Sequence, residues 1–178
     1  MQARYRFSNA LRYRAEDHPN NTALTPSYIL EPAREDLGGS IGLDPCSTDA
    51  NPTDAERFYC PPQDGAELAW DAASIFVNPP YGRARERWVT RCIKAGSQGR
   101  KVVLLIPAHP DTLTFQRAAR SASAVVFIRG RVKFGEFGQI RPNGRQVAAS
   151  HGSVLLGWNT MLPASAPLGL LMNPVREM

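Results

Sequence analysis

Asn78-Pro79-Pro80-Tyr81 joins residue types able to grip an amine. Asparagine offers a carbonyl oxygen on a short stem. The carbonyl of Pro79 is a second acceptor, and the rings of Pro79 and Pro80 restrict its direction. Two convergent acceptors match one exocyclic NH2 group and its two hydrogens. Holding both N–H bonds draws the nitrogen lone pair out of conjugation with its ring and readies it to attack an electrophile. Tyr81 adds a flat face for a heterocycle, and base–aromatic stacking contributes about 1–3 kcal/mol. The tetrapeptide therefore reads as a clamp for an amino-purine or amino-pyrimidine ring. The competing reading is structural: a Pro-Pro turn in which Asn78 caps the helix that begins near Arg83.

The clamp follows SIFV (74–77), a short apolar run of strand type, and precedes RARERWVTRCIKAG (83–96), whose Trp88, Val89, Cys92 and Ile93 share one helical face. KVVLLIP (101–107) is a continuous apolar strand of the kind buried on both faces of a parallel sheet. Asp111 opens a further helix, and AVVFI (124–128) is another strand. VKFG and GSVLLGW (152–158) are expected to close the sheet as a hairpin around a polar loop, 135–151. Upstream, Thr25 is placed to cap a helix with Pro26 at its first position, and Gly38-Gly39 ends it. SIGLD (40–44) reads as a short buried strand, RFYC hides a second, and the rest of 45–73 is irregular. Strands alternating with helices predict an α/β fold whose ligands sit at the carboxyl ends of the strands. Three groups then face one crevice: Asp44-Pro45-Cys46-Ser47, the clamp, and Pro107-Ala108-His109.

Composition bounds the partners. The 178 residues suit one domain, divided as a basic arm (1–24), a domain (25–158) and a tail (159–178). Lys and Arg number 21 against 16 Asp and Glu, a net charge of +5 that favours polyanions. Arg83, Arg85, Arg129, Arg131 and Lys133 are the candidate phosphate contacts: the first two follow the clamp, and the others form a cluster after a predicted strand end. Three unpaired cysteines suit a reducing cytoplasm, and neither they nor the three scattered histidines form a metal pattern. No stretch reads as a membrane span or a signal peptide.

LDPCSTDAN (43–51), RFYCPPQDG (57–65), FVNPPYGR (76–83), VVLLIPAHPDT (102–112) and FIRGRVKFG (127–135), in that order, resemble the phage-type DNA N6-adenine methyltransferases, small Dam-like enzymes of phages and prophages. The resemblance spans residues 25–158. It implies a trimmed Rossmann-like fold, with a mostly parallel sheet and a C-terminal antiparallel hairpin. It also implies S-adenosylmethionine as cofactor, double-stranded DNA as partner, and a bacterial cytoplasm as location. Carried over, Asn78, Pro79 and Pro80 hold the target amine and Tyr81 stacks on the flipped adenine. Thr25, Pro26, Asp44, Pro45, Cys46 and Ser47 meet the cofactor together with Asn78, and Asp64 is a further contact for its ribose or adenine. The glycine-rich cofactor loop of most methyltransferases is absent after Asp44. Alternatives are a methyltransferase of RNA adenine or protein glutamine, and a DNA-binding module with a degenerate cofactor site.

Overall fold

The computed structural model describes residues 25–80, 84–134, 148–162 and 169–172. Helix α1 (Ser27–Leu37) comes first, followed by strand β1 (Ser74–Val77), helix α2 (Arg85–Ser97) and strand β2 (Lys101–Pro107). Helix α3 (Leu113–Ser121) and strands β3 (Ala124–Ile128), β4 (Ser153–Trp158) and β5 (Gly169–Met172) complete the chain. The sheet order is β1-β2-β4-β3-β5.

The expectation of a mostly parallel sheet is corrected. Only β1 and β2 pair in parallel, while β2 with β4, β3 with β4, and β3 with β5 are antiparallel. Strand β4 lies beside β3 as an antiparallel neighbour, a pairing that requires no crossover helix. Because β4 opposes both flanking strands, β1, β2 and β3 still run the same way. Their carboxyl ends therefore share one edge.

The hairpin is also built differently from expectation. GSVLLGW supplies β4, but its partner is β3, with Val125 opposite Leu156. VKFG forms no strand; Val132 is buried against the core instead, and its carbonyl accepts from the Ala149 N–H at 2.8 Å. The loop beyond it, 135–147, lies outside the described residues, as does the arm 1–24. The stretch read as a tail contributes β5.

Alternation along the strands divides the core. Ile75, Val77, Val102, Leu104, Ile106, Val154 and Leu156 face α2 and α3, joined by Trp70, Trp88 and Trp158. Phe76, Val103, Leu105, Val126 and Leu155 face Ile29, Leu30, Ala33 and Leu37 of α1. Each such side chain stabilises the fold by about 1.5–3 kcal/mol when fully buried. Helix α1 ends as expected, with Gly38 in the left-handed region at φ 107°. Its start differs. Pro26 rather than Thr25 is the N-cap residue, and no side chain caps the helix. Helix α3 begins two residues later than expected, where the Thr112 hydroxyl accepts from the Phe115 N–H.

SIGLD extends the sheet past β1 without forming a full strand. Leu43 bridges Ile75 and Asp44 bridges Phe58, both in parallel. The Leu43 N–H donates to the Ser74 carbonyl at 3.0 Å, and the Tyr59 N–H donates to the Asp44 carbonyl at 2.9 Å. Asp44 thus ends its segment on the same edge as the ends of β1 and β2.

Candidate functional site

Asn78 lies one residue beyond β1, half-buried, with Pro79 buried behind it. Its side-chain Nδ2 donates to Thr25 Oγ1 at 3.1 Å, across 53 residues of sequence. With Nδ2 on Thr25, Oδ1 is the other end of the amide. The amide does not cap α2, whose N-cap is Ala84 without a side-chain cap. Thr25, expected to cap α1, is committed to Asn78. Tyr81 and Arg83 lie outside the described residues.

The Asp44–Ser47 loop is the neighbour of this strand end. The Asn78 backbone N–H lies near enough to the Cys46 sulfur to favour its charged form, which brings two of the three predicted groups together. Asp44 is buried, and both its oxygens are engaged. Oδ1 accepts from the Cys46 N–H at 3.0 Å and Oδ2 from Thr53 Oγ1 at 2.8 Å. Burial raises the Asp44 pKa, against the lowering effect of those bonds. The Ser47 hydroxyl lies near enough to Asp44 to favour its charge, yet makes no well-formed hydrogen bond among the described residues, although it is buried. Burial, with the charge of Asp44 second, holds the Cys46 thiol well above the usual range. It stays protonated and is a poor nucleophile.

Two supports of this loop escaped sequence reasoning. Thr53 is buried; besides its bond to Asp44, its carbonyl accepts from Arg34 Nη2 of α1 at 2.8 Å. Gly65 presses on the loop from outside, where a Cβ would sit 1.7 Å from the Pro45 carbonyl oxygen. The glycine that close approach requires thus lies 20 residues beyond the loop it serves. The one legible signal was Gly65 itself, closing the quoted run RFYCPPQDG.

Asp64, beside Gly65, pairs with Arg87 of α2 and not with the clamp. Arg91 of the same helix stacks on the Trp70 ring, 5.0 Å from its centroid.

The third group also reaches the shared edge. His109, just past β2, meets His151, just before β4, with ring centroids 5.6 Å apart and an edge-to-face tilt. The Ala108 N–H donates to the Gly152 carbonyl at 2.9 Å beneath them. The His151 pKa is lowered, first by burial and then by the charges of His109, Arg85 and Arg131. Arg85 and Arg131 come from separate parts of the sequence, and the fold brings each near enough to His151 to act on its charge. Arg129, Arg131 and Lys133 are exposed past the end of β3. Among the described residues, no group of three or more His, Cys, Asp or Glu side chains is arranged to hold a metal ion, and no helix is long and apolar enough to cross a membrane.

The model of a family described as DNA N-6-adenine-methyltransferase (Dam) matches residues 16–168. A DNA N-6-adenine-methyltransferase of Haemophilus phage HP1 (strain HP1c1) is 24% identical over 111 residues. That alignment covers 62% of this chain and 64% of the phage protein, less than two thirds of its length.

Proposed function

Because the chain belongs to the DNA N-6-adenine-methyltransferase (Dam) family, we propose that it transfers a methyl group from S-adenosylmethionine to the N6 amine of adenine in double-stranded DNA. One observation carries this reading: Asn78-Pro79-Pro80 and Asp44–Ser47 lie at the edge where β1, β2 and β3 end, side by side because Leu43 pairs with Ile75 in parallel. Ligands of α/β sheets bind at that edge. The common direction of β1, β2 and β3 supports a trimmed Rossmann-like methyltransferase fold, with β4 inserted between β2 and β3.

S-adenosylmethionine supplies a methyl group on a positively charged sulfur. The residues present fit it. Asp44 is a buried carboxylate suited to an ammonium group, and Ser47 Oγ is buried without a hydrogen-bond partner among the described residues. Asp44, Pro45, Cys46 and Ser47 would hold the methionine portion, with Thr25-Pro26 and Asn78 on the clamp side. Asp64 is the candidate for the ribose or adenine, supported by its place beside Gly65, which packs on Pro45.

In the proposed reaction, Asn78 Oδ1 and the Pro79 carbonyl accept from the adenine N6 hydrogens, and Pro80 keeps the turn rigid. Acceptors there match the positive charge that develops on nitrogen. The nitrogen's surplus proton leaves after transfer, so no general base is required. Cys46 stays a protonated thiol and takes no covalent part. The adenine must leave the duplex at a cost of a few kcal/mol, which the clamp and stacking on Tyr81 offset. Arg83, Arg85, Arg129, Arg131 and Lys133 would hold phosphates, making affinity fall with salt.

The test is direct. Purified protein, S-adenosylmethionine and unmethylated duplex DNA are incubated, and the digested nucleosides are resolved by mass spectrometry. N6-methyladenine is expected. Transfer only to RNA or to protein, or heat-silent titration with S-adenosylmethionine, would overturn the reading.

A further inference from the structure

We propose that Thr25 is a positioning residue that fixes the Asn78 side chain in the clamp and so sets where its amide meets the substrate. The inference rests on the methyltransferase reading above. An asparagine side chain turns about two bonds, and only some of its rotamers bring the amide to a substrate amine. The tetrapeptide alone does not choose among them. In the structure the Asn78 amide is held by a hydroxyl 53 residues away, through the 3.1 Å bond from Asn78 Nδ2 to Thr25 Oγ1.

Two further observations show that Thr25 is placed for this task. It stands just before Pro26, the N-cap residue of α1, where the sequence predicts that its hydroxyl caps the helix, yet that helix has no side-chain cap. The hydroxyl is diverted from the local role its sequence position predicts. Its position is also held from behind. The Pro26 carbonyl accepts from the N–H groups of both Ile29 and Leu30, at 3.0 and 3.1 Å, and those two side chains are buried in the core that packs on Phe76. Thr25 and Asn78 are thus anchored through the same layer, one by α1 and the other by β1. This role differs from a contact to the cofactor's carboxylate, which the resemblance implies for the same segment.

Thr25→Val removes the acceptor at nearly constant size, and Thr25→Ser keeps it. Two readouts apply to purified full-length protein: steady-state kinetics on duplex DNA, and the side-chain amide resonances of Asn78 in 15N-labelled protein without ligand. Thr25→Val is expected to lower kcat about tenfold, with KM for S-adenosylmethionine within about twofold of wild type. Its Asn78 amide resonances should move while the rest of the spectrum reports a folded chain. Thr25→Ser should restore most of the rate and the wild-type resonances. Wild-type kcat in Thr25→Val, a loss confined to KM for S-adenosylmethionine, or unmoved Asn78 resonances would each overturn the proposal. If wild-type protein methylates no adenine, the parent reading fails, and the resonances still decide whether Thr25 holds Asn78.

Discussion

Arg87 and Asp64 form a two-pronged ion pair, with Nη1 to Oδ2 at 2.7 Å and Nη2 to Oδ1 at 3.1 Å. It ties α2 to the loop that braces Asp44–Ser47. Both side chains are more than a third exposed, at 36% and 41%, so screening limits the pair to about 1 kcal/mol or less. Arg87→Ala is therefore expected to change unfolding free energy by no more than that in urea. If Asp64 meets the cofactor, Asp64→Ala should weaken S-adenosylmethionine binding about fivefold or more by calorimetry. Arg87→Ala should stay within about twofold. Equal affinities in both variants would remove Asp64 from the cofactor site.

Gly65→Ala forces a Cβ against the Pro45 carbonyl, at 1.7 Å in the present geometry. Backbone must shift to admit it, at a cost of about 1–3 kcal/mol. The displaced loop is the one that carries Asp44. Loss of cofactor affinity should therefore exceed that of Gly99→Ala, a site with nothing within 4 Å of the added atom but a strained φ of +84°. Equal cofactor affinity in the two variants would show that the contact does not shape the site.

Tyr81 is the last residue of the clamp tetrapeptide. Tyr81→Trp retains a stacking face and is expected to keep much of the methylation rate, whereas Tyr81→Ala should lose most of it, in line with about 1–3 kcal/mol of stacking. Matching rates for the two variants on the same duplex would take stacking out of the mechanism.

The pH dependence has a defined sign. Burial raises the folded-state pKa of Asp44 above the ordinary 3.8. The folded chain then holds this proton more readily than the unfolded chain, so stability falls as pH rises from 3.8 through the folded value. Asp44→Asn removes that dependence and should be at least as stable as wild type at neutral pH, while losing cofactor affinity. His151 acts in the opposite sense. Its pKa is lowered below 6.5, so stability drops as pH falls below 6.5. Urea unfolding of wild type, Asp44→Asn and His151→Gln across the acid range checks each sign, since the His151 variant should lose the drop below pH 6.5. A destabilised Asp44→Asn at neutral pH would show the carboxylate to be a net support of the loop.

The strands SIFV, KVVLLIP, AVVFI and SVLLGW were legible because each is a continuous apolar run, and Trp88, Val89 and Cys92 because they recur at helical spacing. Pairing direction was not legible. Nothing in an apolar run says which neighbour it meets, and β4 inserts between β2 and β3 through contacts distant in sequence. At the site, Asn78 and Asp44 stood out by type and position. Thr53, Gly65 and the Thr25–Asn78 bond did not, since each acts through a partner 9, 20 or 53 residues away. Local rules assigned the Thr25 hydroxyl to the helix that follows it, and tertiary structure reassigned it.

The proposed role of Asn78 and Pro79 is to present two oxygens to an adenine amine. Its most direct test is expression of wild type and Asn78→Ala in a host lacking adenine methylation, followed by genome-wide mapping of modified bases. Wild type should deposit N6-methyladenine. The Asn78→Ala protein, folded and still binding S-adenosylmethionine, should deposit at least about 100-fold less, the scale on which a lost transition-state hydrogen bond is felt. Comparable methylation by the two proteins would contradict the claim.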